Sequence, residues 1–149
     1  MVISHVQLLL LLLASLFFLP PLHAVDFKYC DGIGYPFVNV TRVEMDPYDI
    51  PNIAIYGFTK RPLLSGTVTL AYNIGGRNLP IKFYDLCTIR LGECPILPGT
   101  EFSLDLFQFP ISREDIKNDK ISVTLTDKFD LEADLMCVYF GFPTSTVSA

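Results

Sequence analysis

The chain contains no tryptophan, and its only two histidines, His5 and His23, lie within the first 24 residues. Residues 25–149 therefore lack histidine altogether. This absence excludes a Ser-His-Asp triad, a Cys-His nucleophile pair and any histidine-ligated metal site from that region. It also removes the side chain that most often transfers protons near neutral pH. The composition predicts a protein that is not an enzyme and that uses no metal or cofactor.

Basic sequence is also scarce. The chain carries 11 basic and 16 acidic side chains, for a formal net charge of −5, and its longest basic run is the pair Lys60-Arg61. Nucleic acids attract proteins mainly through clustered lysine and arginine. We therefore expect no nucleic-acid partner.

The first 24 residues have the pattern of a secretory signal peptide, although no lysine or arginine precedes the apolar run. Residues 8–19 are almost all leucine and phenylalanine, Pro20-Pro21 ends the run, and the small residue Ala24 suits the cleaving peptidase. An apolar run of roughly 12 residues is too short for a membrane-spanning helix. We predict cleavage after Ala24, leaving 25–149 as a single domain in the secretory pathway.

Four cysteines remain in that domain: Cys30, Cys87, Cys94 and Cys137. An even number in a secreted chain favours disulfides, and four cysteines permit three connectivities. We favour a tight Cys87–Cys94 loop with a long Cys30–Cys137 bridge. A zinc site is the rival interpretation, but such sites usually pair cysteines at short spacings, whereas these lie 57, 7 and 43 residues apart.

The hydrophobic periodicity is that of strands. In 67–74, Val68, Leu70, Tyr72 and Ile74 share one face. Gly75-Gly76 then reads as a hairpin turn before the next run. The predicted strands are 37–43, 52–58, 67–74, 79–84, 102–109, 121–126 and 135–142, and a helical turn is predicted over 112–118. About seven short antiparallel strands predict an all-β sandwich.

Two of these runs are apolar on both faces, namely 102–109 and 135–142. A bulge near Leu106, or a central strand buried on both sides, would explain the pattern. The alternative is surplus apolar surface that lines something other than protein. The pattern alone favours the first explanation.

One segment carries a family resemblance. Asp85-Leu86-Cys87, then Gly92-Glu93-Cys94-Pro95-Ile96 and Pro98-Gly99, resembles the signature of the ML domain family of small secreted lipid-recognition proteins. The family includes the Niemann–Pick type C sterol carrier and mite group-two allergens. Tyr29-Cys30-Asp31 near the start and Leu135-Met136-Cys137 near the end fit the family layout.

The resemblance implies an immunoglobulin-like β-sandwich that holds a lipid tail or a sterol between its sheets and has no catalytic residues. It also implies the bridges Cys87–Cys94 and Cys30–Cys137. The two bridges are most similar to those of plant members described as phosphatidylglycerol or phosphatidylinositol transfer proteins. The animal sterol carrier has a third bridge, for which this chain has no cysteines. We expect a monomer that contacts membranes transiently, in the extracellular space, the apoplast or a vacuole.

Strand alternation, rather than the family signature, supplies the candidate lipid-binding residues. For each of them the alternative is ordinary sandwich core, and we expect about half to touch a ligand. The candidates are Ile53, Ile55, Val68, Leu70, Tyr72, Phe83, Phe102, Leu104, Val123, Leu125 and Phe140.

A lipid-sized pocket has an energetic consequence. A rigid, empty pocket of roughly 400 Å³ would cost about 10 kcal/mol at roughly 24 cal/mol per Å³, comparable to the whole stability of a small domain. We therefore expect the empty sandwich to close, admit water or hold a substitute lipid, and its sheets to separate at one end for entry. Lys60-Arg61 is a candidate phosphate contact at the pocket mouth, with a solvated turn as the alternative.

Two surface features complete the sequence. Asn39-Val40-Thr41 is a glycosylation sequon in which alternation places Val38 and Val40 inward and Asn39 in solvent. An acidic cluster, formed by Asp127, Asp130, Glu132 and Asp134, lacks the spacing and the glycine of a calcium loop, and we interpret it as a charged hairpin loop.

Three functions fit these patterns. The first is a secreted lipid carrier that moves or presents a phospholipid or sterol. The second is a secreted recognition module, similar to a co-receptor, with a filled interior and a protein partner. The third, an enzyme that uses only carboxylates, such as a glycosidase, lacks a candidate pair.

Overall fold

A computed structural model describes residues 4–17, 23–48, 50–74, 77–89, 94–108, 110–116, 120–127 and 133–141 of the chain. Helix α1 (His5–Phe17) lies in the apolar N-terminal segment. Among the described residues, no helix is both long and apolar enough to span a bilayer.

Nine strands and a short helix follow α1 in the described residues. In chain order they are β1 (His23–Val25), β2 (Phe27–Tyr29), β3 (Val38–Met45), β4 (Ile53–Thr59), β5 (Thr67–Ile74), β6 (Arg77–Asp85), β7 (Phe102–Leu106), α2 (Arg113–Ile116), β8 (Lys120–Thr126) and β9 (Asp134–Gly141). The predicted all-β class is confirmed, and each predicted strand has a counterpart. Strands β1 and β2 were not predicted, because three residues are too few to show a periodicity.

The strands form two antiparallel sheets. The first sheet has the order β1-β3-β4-β7, and the second has the order β2-β9-β8-β5-β6. Each sheet turns an apolar face toward the other: Val43, Ile55 and Leu104 belong to the first, and Val68 and Val123 belong to the second. These two faces form the core of the sandwich.

The two ambiguous runs resolve differently. Strand β7 ends at Leu106 with simple alternation, so neither a bulge nor a two-sided strand is needed. Phe107 lies beyond the strand end and is exposed, and Gln108 turns the backbone at a φ of 55°. Strand β9 is buried on both faces from Leu135 to Val138, which confirms the interpretation as a central strand.

The predicted turns agree in part with the structure. Helix α2 agrees with the predicted helical turn in its described part, residues 117–118 lying outside the described residues, and the Ser112 hydroxyl donates to the Asp115 carboxylate at 2.7 Å. Residues 75–76 lie outside the described part of the chain. The strands on either side of them pair as neighbours, with Ile74 opposite Arg77.

One end of the sandwich is closed by the connections that cross between the sheets. We call it the crossover end and define it by the buried residues Leu63, Leu86, Ile89 and Ile96. Leu63 and Ile96 exchange two backbone hydrogen bonds of 2.9 Å. Cys87 is bonded to Cys94 there, with their Cα atoms 5.3 Å apart. This end is fixed by apolar packing and by a covalent bridge.

The sandwich has two long edges. At the first, Asp26 alone connects β1 of one sheet to β2 of the other. Just beyond β2, Cys30 is bonded to Cys137 of β9, with a Cα–Cα distance of 5.4 Å. We call this the β1/β2 edge. At the opposite side the outermost strands are β6 and β7, which belong to different sheets, and we call this the β6/β7 edge.

Candidate lipid-binding site

Most of the predicted lipid-binding residues converge on the space between the sheets. Nine of them have at most 2% of their surface accessible to water: Ile53, Ile55, Val68, Leu70, Phe102, Leu104, Val123, Leu125 and Phe140. Tyr72 lies at the margin of this core and is partly buried, with its hydroxyl 3.5 Å from the Asp115 carbonyl oxygen. Side chains so fully enclosed pack against other protein atoms. Around these nine residues, within the described part of the chain, the two sheets are in contact, which is the closed arrangement expected from the cost of an empty pocket.

The prediction that Phe83 lies between the sheets is wrong. Phe83 is 65% exposed and lies opposite Thr69 on the outer face of the second sheet. Counting back from the hairpin, Ala71 pairs with Pro80, but Leu70 then pairs with Lys82, because Ile81 is an extra residue in β6. This β-bulge shifts the pairing by one residue and so exchanges the faces of the residues beyond it.

The same bulge brings a lysine onto the inner face of the sandwich. Lys82 lies directly opposite the buried Leu70, and residues that pair across a sheet share a face. Its side chain is half-buried. Sequence reasoning missed Lys82 because it looked only for apolar inward positions. Pro80 was the available signal. Proline has no N–H to donate to a strand ladder, so it is often found at a β-bulge.

Lys82 connects the two sheets across the β6/β7 edge. Its ammonium donates hydrogen bonds to the carbonyl oxygens of Gln108 at 2.9 Å and Phe107 at 3.4 Å. The hydroxyl of buried Tyr84 donates to the same Phe107 oxygen at 3.0 Å. We call these hydrogen bonds the Lys82–Tyr84 contact.

The surroundings of this contact are aromatic. Tyr84 packs edge-on against the Phe107 ring, with 6.3 Å between ring centroids, and the Lys82 ammonium lies 5.0 Å from the centre of the Tyr84 ring. Burial raises the pKa of Tyr84, so its hydroxyl stays protonated. Toward the crossover end, the Asp105 N–H donates to the Ile89 carbonyl at 3.1 Å and closes the rest of the edge.

A groove of about 370 Å³ lies on the outer face of the first sheet, beyond the interior. Ala54 lies between Glu44 and Asp105 on neighbouring strands, and Tyr56 is next to it. The Arg42 guanidinium lies 3.9 Å from the centre of the Tyr56 ring and pairs with Glu44 at 3.2 Å. Burial raises the pKa of Asp105.

The Lys60-Arg61 pair lies at the crossover end, away from the Lys82–Tyr84 contact. Both side chains are exposed, and the Arg61 guanidinium lies 4.1 Å from the centre of the Phe37 ring. The Lys60 N–H donates to the Phe37 carbonyl at 2.7 Å. These contacts are those of a solvated turn packed on an aromatic ring, the alternative that the sequence left open.

Asn39 lies in solvent as predicted, with Val38 and Val40 buried on the other face of β3. The Tyr29 hydroxyl lies 3.0 Å from the Asn39 Oδ1 atom and 3.3 Å from the Val40 carbonyl oxygen, and it accepts the Val40 N–H at 2.9 Å. Tyr29 thus joins β2 of the second sheet to β3 of the first.

The acidic loop is described only in part. Asp130 and Glu132 lie outside the described residues, whereas Asp127 and Asp134 are within them. Within the described ranges, no group of three or more histidine, cysteine or acidic side chains is arranged to hold a metal ion.

Two antiparallel sheets packed face to face around an apolar core define an immunoglobulin-like sandwich. A family model of the ML domain matches residues 24–143, and the chain belongs to this family. The resemblance seen around Cys87 and Cys94 is thereby confirmed.

Two relatives from Arabidopsis thaliana are similar over nearly their whole length. MD-2-related lipid-recognition protein ROSY1 is 37% identical over 148 residues, covering 94% of this chain and 90% of that protein. MD-2-related lipid-recognition protein 3 is 37% identical over 156 residues, covering 96% of this chain and 94% of that protein.

Two crystal structures share the fold. A Niemann-Pick type C2 protein from the Japanese carpenter ant has a TM-score of 0.55 at 12% identity, covering 77% of this chain and 96% of that one. Chicken MD-1 complexed with lipid IVa has a TM-score of 0.50 at 16% identity, covering 80% of this chain and 94% of that one. At these identities the likeness concerns the fold alone.

Proposed function

We propose that this protein binds a lipid between its two sheets and carries or presents it. One observation supports the proposal above the others: buried apolar side chains line the inner faces of both sheets, in a chain 37% identical to proteins named for lipid recognition. The candidate ligands are phosphatidylglycerol, phosphatidylinositol or a sterol. The chain would act as a monomer that meets a membrane only transiently, and no step would require a catalytic residue.

The lipid would enter at the β6/β7 edge. The chain itself joins the two sheets at the β1/β2 edge and, through the connections between β4 and β5 and between β6 and β7, at the crossover end. Noncovalent contacts close the β6/β7 edge. Opening a space of roughly 400 Å³ would cost about 10 kcal/mol. Burying about 12 CH₂ groups returns roughly 10 kcal/mol at about 0.8 kcal/mol each. An acyl tail therefore suffices to hold the sheets apart.

The place of action would be the secretory pathway or beyond it, in the extracellular space, the apoplast or a vacuole. Two observations support this proposal. Residues 1–24 have the pattern of a signal peptide, and both disulfides suit an oxidising compartment.

A second function agrees with the closed interior. A recognition module that binds a protein through its surface loops would also have a filled core. It differs from a carrier in one measurable respect, because its interior would stay closed in the presence of lipid.

Native mass spectrometry of protein secreted from a eukaryotic host separates the two functions. A carrier should show an adduct of discrete mass and one-to-one stoichiometry, and solvent extraction would identify the lipid. A bare mass that stays bare after incubation with mixed phospholipid and sterol vesicles would overturn the carrier proposal in favour of the recognition module.

A further inference from the structure

We propose that Lys82 is the receptor for the anionic headgroup of a bound phospholipid, and that its ammonium exchanges two backbone carbonyls for that headgroup when the β6/β7 edge opens. The inference rests on the proposed lipid-binding function and adds to it a ligand class and a residue that selects it.

The position of Lys82 is the first argument. Its Cα lies opposite Leu70 on the inner face of the second sheet, while β6 is the outermost strand of that sheet. A lysine there has its stem against the apolar interior and its ammonium at the margin, where water begins. A phospholipid has the same division, with an apolar tail and a charged head. A phospholipid whose tail lies beside Leu70 would have its headgroup phosphate at the level of the Lys82 ammonium.

The present partners of Lys82 are the second argument. The ammonium is held by two neutral acceptors, the carbonyl oxygens of Phe107 and Gln108. Within the described part of the chain, the ion pairs are those of Arg42, and no carboxylate reaches the Lys82 ammonium. A half-buried positive charge without a counter-charge binds an anion more strongly than a neutral carbonyl, because the attraction between opposite charges is added to the hydrogen bond.

The opening motion is the third argument. Lys82 belongs to the second sheet, whereas Phe107 and Gln108 follow β7 of the first sheet. Separating the sheets at this edge must break both hydrogen bonds of the ammonium, together with the bond from Tyr84 to Phe107. A headgroup phosphate would replace the lost acceptors and restore a partner to both donors. A zwitterionic headgroup does so less well, because its own cation lies near the ammonium, and a sterol hydroxyl offers no charge.

Lys120 provides a matched control. Its ammonium also lies 5.0 Å from the centre of a tyrosine ring, that of Tyr139. It begins β8, and its exposed side chain lies on the face of the second sheet opposite to that of Ile121. Substituting Lys120 therefore removes the same charge, from a similar aromatic contact, without touching the β6/β7 edge.

The experiment compares the secreted protein, after removal of lipid, with the variants Lys82→Met, Lys82→Arg and Lys120→Met. Each is incubated with vesicles of phosphatidylglycerol, phosphatidylcholine and sterol, separated from them, and extracted, and the captured lipids are counted by mass spectrometry. We expect Lys82→Met to lower the ratio of captured phosphatidylglycerol to phosphatidylcholine about tenfold, because the variant loses one charge-assisted hydrogen bond to the headgroup. Lys82→Arg and Lys120→Met should keep the ratio within about threefold.

Two results would overturn the inference while leaving the lipid-binding function intact: an unchanged ratio in Lys82→Met, or an equal fall in Lys120→Met. Lys82→Arg keeps the charge, so a loss of ratio there as well would assign the effect to disturbed packing and also overturn it. Wild-type protein that captures no lipid would overturn the proposed function and this inference together.

A second arm distinguishes a lipid headgroup from a free phosphate. Glycerol 3-phosphate carries the same anion without a tail that could separate the sheets. We expect it to leave phosphatidylglycerol capture unchanged, since the closed edge keeps Lys82 on its carbonyls. Binding of glycerol 3-phosphate to wild-type protein but not to Lys82→Met would assign the site to a small phosphate and overturn the lipid assignment.

Discussion

A tyrosine crosses between the sheets at each long edge of the sandwich, but the two edges are otherwise built differently. At the β1/β2 edge, Tyr29 contacts Val40 of the other sheet, and the chain itself passes between the sheets through Asp26. At the β6/β7 edge, Tyr84 donates to the Phe107 carbonyl together with Lys82, and both contacts are noncovalent. The first edge cannot separate widely without breaking its pairing, whereas the second can.

This difference assigns a mechanical role to each edge. The β1/β2 edge holds the two sheets together at a fixed line, with Cys30–Cys137 tying β2 to β9 beside it. The β6/β7 edge depends on hydrogen bonds worth roughly 1 kcal/mol each, or up to about 3 where one partner is charged. We therefore expect the sheets to separate at the β6/β7 edge while the β1/β2 edge acts as the hinge. The variants below test this difference, from the largest expected effect to the smallest.

Loss of the long disulfide should have the largest effect on stability. Replacing Cys30 and Cys137 with serine removes a bridge between residues 107 apart, which chain-entropy estimates value at about 4.8 kcal/mol. The matched replacement of Cys87 and Cys94, 7 apart, should cost about 2.5 kcal/mol. Urea unfolding of both double variants measures the two losses. A larger loss from the short bridge would contradict the expectation that the longer closed loop contributes more stability.

The two tyrosines allow a direct test of the edges. Tyr84→Phe removes the hydrogen bond to Phe107, and Tyr29→Phe removes the hydroxyl at Val40. Each should lower the free energy of unfolding by about 1 kcal/mol. Only Tyr84→Phe should also speed lipid uptake, by about fivefold. The Tyr84 hydrogen bond must break when the β6/β7 edge opens, whereas the Tyr29 hydrogen bond stays intact. Stopped-flow uptake of a fluorescent phospholipid measures the rates, and equal acceleration by Tyr29→Phe would contradict the hinge.

A smaller effect concerns Asp105 on β7. Burial raises its pKa above the usual 3.8, so the folded state disfavours the charged carboxylate. Its ionisation destabilises the fold above the raised pKa, and the cost vanishes below 3.8, where the group is protonated in both folded and unfolded chains. Asp105→Asn should thus add only a few tenths of a kcal/mol at pH 7, since the carboxylate is only partly buried and solvent screens its charge.

Urea unfolding of wild type and Asp105→Asn between pH 3 and pH 7 checks this expectation. Asp31, beside the β1/β2 edge, has the opposite shift. Hydrogen bonds from the Gly34 and Ile33 N–H groups lower its pKa, so its stabilisation is present above the usual value and is lost as the pH falls through the lowered one. An advantage for Asp105→Asn that grew toward acid would contradict the assigned burial effect.

The sequence predicted the sandwich and most of its interior because alternation in β4, β5, β7 and β8 is simple. Val68 and Leu70, for example, are buried as predicted. It failed in β6, where one extra residue at Ile81 exchanges the faces of Phe83 and Tyr84. Periodicity cannot locate a bulge, because the register of β6 depends on its pairing with β5 rather than on its own residues.

The same limit explains why Lys82 was missed and Lys60-Arg61 was chosen. A pair of adjacent cations stands out in a sequence, whereas a lone lysine next to Phe83 does not. Only the pairing of Lys82 with Leu70 shows that it faces the interior. The apolar residues of the candidate site could be predicted from strand alternation, whereas the place of Lys82 on the inner face required the tertiary register.

Strand β1 has a consequence for the order of events in maturation. Its residues His23 and Ala24 pair with Met45 and Glu44 of β3, so the peptide bond after Ala24 lies inside a paired strand. Backbone held in a sheet is shielded from proteases until it opens locally. If residues 1–24 are cleaved off after Ala24, we therefore expect the cut to precede the docking of β1 onto β3. A chain in which β1 docked first should be cut more slowly.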